Sequence, residues 1–120
     1  MANVLVHIHT GPENANKATL GCLVALTAAK AGHDVSVFFA ADGVHLLSEE
    51  HISSVEGQGT GALADHVPAL AEAGARFYVS GKSAKARGYD DGLLAGLPAE
   101  FAMPDKLVAL SLEADTTLSY

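Results

Sequence analysis

The stretch "YVSGKSAKARGY", residues 78 to 89, gathers two serine hydroxyls, Ser80 and Ser83, with three cations, Lys82, Lys85 and Arg87. Such a set could cradle a phosphate, activate a nucleophile or hold a small anion. Gly81, Lys82 and Ser83 spell the end of a nucleotide-binding P-loop, but that loop needs a glycine five residues earlier, where Arg76 stands. The nucleotide reading therefore fails on spacing. A serine nucleophile would need a histidine base and an acid, for which His9 and Asp42 are the candidates. Ser80 lacks the Gly-x-Ser-x-Gly elbow, so catalysis is not expected of it. His7 and His9, two apart on a strand, share a face with Leu5. No further Cys, His or acid cluster completes a metal set around them, so a structural or interface pair is expected and no metal. The lone cysteine, Cys22, lies among Leu20, Leu23 and Val24 and reads as a core filler.

These residues must be held by surrounding elements. "VLVHIH", 4 to 9, is dominated by Val, Leu and Ile and predicts a buried parallel strand. Residues 15 to 31 predict an Ala-rich helix, with Leu20, Leu23, Val24, Leu26 and Thr27 at helical spacing and Gly32 as its cap. A second strand is expected at 34 to 40, ending in Asp42 and Gly43. The Gly-rich stretch that follows predicts a short helix and a mobile loop. Residues 62 to 73 predict another helix, with Pro68 marking a kink or a start, because an interior proline costs ~3 kcal/mol. A third strand is expected at 75 to 79, then a short helix from Ser83 to Arg87 closed by Gly88. A turn and a short extended piece lead to a helix opening on Pro104, and "DTTLSY" closes the chain as a strand.

Alternating strands and helices imply a mainly parallel sheet in a three-layer α/β/α, Rossmann-like sandwich with right-handed crossovers. Ligands bind outside the carboxyl ends of the strands in such folds. Residues 9 to 11, 41 to 43 and 80 to 82 fall at those ends, so they are expected to share one rim.

The chain has 120 residues, 49% hydrophobic and 18% charged, the size of one domain spanning 1-120. No apolar run reaches the ~20 residues of a membrane helix, and the start resembles no secretory signal. One cysteine excludes an internal disulfide framework, and cytoplasmic residence is the default expectation. The net charge is −7, so nucleic acid is not an expected partner. Within this acidic chain, Arg76, Lys82, Lys85 and Arg87 reverse the sign locally. A helix N-terminus beside such cations favours an anion. No cofactor motif is present.

"GPENANKATLGCLVALTAAKAGHDV", "FFAADGVHLL" and "SGKSAKARGY", in this order, resemble the DsrE/DsrF-like sulfur-relay family (TusD/YchN-like), over nearly the whole chain. The resemblance implies the α/β/α fold, assembly into a homo-oligomer, trimer or hexamer, and a sulfur-relay partner protein. Active members carry a persulfide on a cysteine eight residues before the glycine of "RG", and some carry a second three residues later. Those places are Ser80 and Ser83 here, and a hydroxyl holds no persulfide. The expected function is a non-catalytic binding or assembly subunit, with a small-anion pocket formed by Ser80, Gly81, Lys82, Ser83, Arg87, His9 and Asp42. The alternative is an active sulfur-transfer protein that uses Cys22 or a partner's cysteine.

Overall fold

Val4, Val6 and Ile8 alternate with Leu5 and His7 along the first strand, and the two sets face different layers of helix. The structure is a computed structural model describing residues 1–120. Five strands form one sheet in the order β6-β5-β2-β1-β7. They are β1 (Asn3–Ile8), β2 (Asp34–Phe39), β5 (Arg76–Ser80), β6 (Ala99–Ala102) and β7 (Thr116–Ser119). All four pairings are parallel, with Val6 opposite Val37 and Val37 opposite Phe77 at the centre. The short strands β3 (Glu56–Gly57) and β4 (Gly61–Ala62) pair apart from it as an antiparallel ribbon. The helices are α1 (Ala15–Lys30), α2 (Glu49–Ile52), α3 (Leu63–Glu72), α4 (Gly81–Ala86) and α5 (Pro104–Glu113). No helix is long and apolar enough to cross a membrane.

The topology explains which face each helix takes. From β1 the chain steps through β2, β5 and β6 in one direction, then returns across the sheet to β7 on the far side of β1. Right-handed crossovers in opposite directions place their helices on opposite faces. α1 and α3 accordingly pack on one face and α5 on the other.

The faces are unequal. One carries a core of 22 buried apolar residues, the other only Leu5, Phe38 and Tyr78 under Leu107 and Leu110 of α5 and Ala114 just after it. α5 buries no residue completely and leaves Val108 and Leu112 58% and 82% exposed.

Three details depart from the sequence expectation. The buried stripe of α1 is Ala18, Gly21, Cys22 and Ala25, with Leu26, whereas Leu20 and Thr27 are exposed. Small residues win because the helix lies close on the sheet: a Cβ on Gly21 would sit 3.2 Å from Ile8 side-chain carbons. The Gly-rich stretch expected as a mobile loop is instead tied to α1 and α3. Gln58 N–H donates to Asn16 Oδ1 (2.7 Å), the Thr19 and Thr60 hydroxyls meet at 2.6 Å, and His66 Nε2 lies 2.7 Å from the Thr60 carbonyl oxygen. Pro68 lies inside α3, which begins at Leu63 rather than at the proline.

Candidate functional site

Three connections meet at the carboxyl ends of β1, β2 and β5, as the strand order requires. Gly11 and Gly43 set how closely the first two approach. A Cβ on Gly11 would collide with the Asp42 carbonyl, and one on Gly43 with the Ile8 carbonyl, so only glycine lets these backbones touch. The 3-10 turn after β2 (Ala41–Leu47) then packs against α4. Ala41 adopts a left-handed conformation (φ 50°) that a non-glycine residue takes at a cost. Its N–H donates to Ser83 Oγ at 2.9 Å, which holds that turn against α4.

Ser80 ends β5 and caps α4. Its Oγ accepts from the Ser83 N–H at 3.2 Å, using one of the donors that a helix start leaves without an intrahelical acceptor. The helix expected from Ser83 therefore starts at Gly81. Ser80 is 9% exposed. Arg87 reaches back across the rim, with Nη2 and Nε donating to Asp42 Oδ1 at 3.0 and 3.2 Å and Nη1 to the Ser83 carbonyl at 3.1 Å. This is the one ion pair of the structure, and because both side chains are partly exposed it is worth well under a buried pair.

Ser80, Ser83, Asp42 and Arg87 thus form a single internally bonded cluster. Lys82 is exposed beside it and makes no ion pair. His9 lies on the first connection, but no hydrogen bond joins it to Asp42 or Ser80. Its ring packs edge-on against His7 (centroids 5.1 Å), which in turn meets Phe38. The parts of a hydrolase triad are therefore not assembled. His7 Nε2 is buried with no hydrogen-bond partner, and burial, with a lesser repulsion from His9, holds the His7 pKa below the usual histidine value. No group of three His, Cys, Asp or Glu side chains converges as a metal set.

Cys22 is fully buried in α1, and burial pushes its thiol up to about 12. A thiol in that state is a poor nucleophile.

A second polar cluster lies beyond the residues expected from sequence. His45 Nδ1 meets the Tyr89 hydroxyl at 2.6 Å, Ser48 Oγ meets His51 Nδ1 at 2.6 Å, and the two imidazoles lie 5.5 Å apart. The Ser48–His51 half was signalled by a cap residue three positions before a histidine in "SEEH". The His45–Tyr89 half joins residues 44 apart in the chain and had no local signal.

The DsrE/DsrF-like family model matches residues 2–120 of the chain. Among solved structures, the YchN protein of E. coli superposes with a TM-score of 0.79 at 15% identity, covering 100% of both chains, a likeness of fold. No curated protein sequence matches.

Proposed function

The chain belongs to the DsrE/DsrF-like family, and from that premise we propose that it acts as a non-catalytic binding or assembly subunit related to the sulfur-relay proteins. The observation that carries this reading is the role of Ser80. Where active members resembling this chain hold a persulfide cysteine, its hydroxyl caps α4 while Ser83 Oγ ties α4 to Ala41. Hydroxyls and an Arg87–Asp42 pair that tie the connection after β2 to α4 serve structure rather than sulfur transfer.

A small anion such as sulfate would bind weakly at the same loop. Arg87 is engaged by Asp42 and the Ser83 N–H by Ser80, so the contact narrows to Lys82 and the first N–H groups of α4. Sulfate titration followed by amide chemical shifts should move residues 80 to 83, with the response shrinking in added salt and lost in Lys82→Ala. An unshifted wild-type loop removes the anion from the reading, and an undiminished response in Lys82→Ala removes Lys82 from the site.

Assembly into a homo-oligomer, a trimer or hexamer, goes with the same reading. The exposed Val108 and Leu112 on α5, above a thin core layer, support it, because apolar surface of this kind is hidden between copies. Light scattering at micromolar concentration should return a multiple of the 12.3 kDa chain. A monomer mass would sink assembly.

A further inference from the structure

The widest recess of the molecule is not at the rim. A cleft of about 570 Å³ opens between the 47-to-52 segment and the 89-to-97 segment. Buried Leu47 and Leu93 line it together with Ile52 and Leu97, so much of its wall is apolar. Three of its four polar side chains, all but Glu49, are held by hydrogen bonds before any ligand arrives. Tyr89 is fixed by His45 Nδ1 at 2.6 Å, and Ser48 by His51 Nδ1 at 2.6 Å. Asp90 commits Oδ1 to the Gly92 N–H at 2.9 Å, which fixes its carboxylate at the cleft. The volume falls in the ~300–1,000 Å³ range of small-molecule sites, and apolar walls with a few convergent polar groups are their usual make-up.

The sign of charge selects the ligand. The residues lining the cleft include two carboxylates, Glu49 and Asp90, and no lysine or arginine. The nearby cations Lys82, Lys85 and Arg87 are outside this lining, and Arg87 is already paired with Asp42. A small anion is disfavoured here, and a cation gains an attraction to both carboxylates that an uncharged molecule forgoes. We propose that this cleft binds a small organic ammonium: an apolar or aromatic body seated on Leu47, Ile52, Leu93 and Leu97, with its cationic head toward Glu49 and Asp90. Tyr89 stands on the same wall for the junction of the two parts.

The test uses the full chain and two probes of one shape and opposite charge, 2-phenylethylammonium and phenylacetate. Amide shifts are followed during titration of each. The ammonium should move residues 47 to 52 and 89 to 97, and phenylacetate should bind about tenfold more weakly or not at all. Ala95→Trp, at an exposed lip position, should block the ammonium while leaving the rest of the spectrum in place. Glu49→Gln should weaken it several-fold. Equal binding of the two probes overturns the charge assignment, shifts confined to other segments overturn the location, and no shift up to millimolar probe overturns the site.

Discussion

Treated with inorganic polysulfide, the Ser80→Cys variant is expected to gain sulfur at residue 80, while the wild-type protein stays unchanged at residues 80 to 83. The introduced thiolate attacks a terminal sulfur of the polysulfide. One sulfur–sulfur bond forms, the adjacent one breaks, and the shortened polysulfide leaves with the electron pair. The loop offers two groups that would favour a thiolate. Ser80 Oγ accepts from the Ser83 N–H at the start of α4, and Lys82 follows two positions on. A hydrogen bond to the charged form and a nearby cation both lower a thiol's pKa, so the new thiol should titrate below the ordinary ~8.5. A small donor is chosen because the position is only 9% exposed. Intact-mass and peptide-level mass spectrometry of both proteins reads the result. A thiol at residue 80 that titrates normally and gains nothing would mean that the loop does not activate sulfur. Sulfur gained by wild-type protein on Cys22 would instead establish the transfer reading that uses that residue.

Cys22 itself should be all but inert in the folded protein. Reaction with a thiol reagent goes through the thiolate. Moving the pKa from the ordinary ~8.5 to about 12 cuts the thiolate present at neutral pH by more than about a thousandfold, before the buried position blocks access. Labelling should therefore be at least that much slower in the native state than in denaturant, and equal rates would refute the burial. The same shift has a pH signature. The folded thiol titrates above the unfolded one, so its stabilising contribution is complete below the unfolded value. It declines as pH rises from there through about 12. Urea unfolding should show stability falling on that alkaline side, and Cys22→Ala should remove this part of the slope. The substitution costs about 1 kcal/mol as a small core truncation at neutral pH.

The order of strands and helices, the α/β/α architecture and the family were legible in the residues alone. Apolar runs of strand length, glycines and prolines at turns, and cap residues at helix starts are local features, and local features specify elements. The position of the rim followed too, since parallel strands bring their carboxyl ends to one side of a sheet. Side-chain partners did not follow. Arg87 with Asp42, Ser83 with Ala41 and His45 with Tyr89 join residues more than 40 positions apart. Such contacts exist only once the 3-10 turn after β2 is closed against α4. For the same reason the leucines of α1 misled: how near a helix lies to its sheet decides whether leucine or alanine faces it, and Gly21 against Ile8 makes that approach close. The cleft under Tyr89 is likewise a space between two segments, a property of their separation that no single stretch of chain encodes. Sequence determined which elements form and in what order, because that depends on neighbours along the chain. Tertiary structure alone decided which polar groups are engaged and which recess stays open, because that depends on neighbours in space.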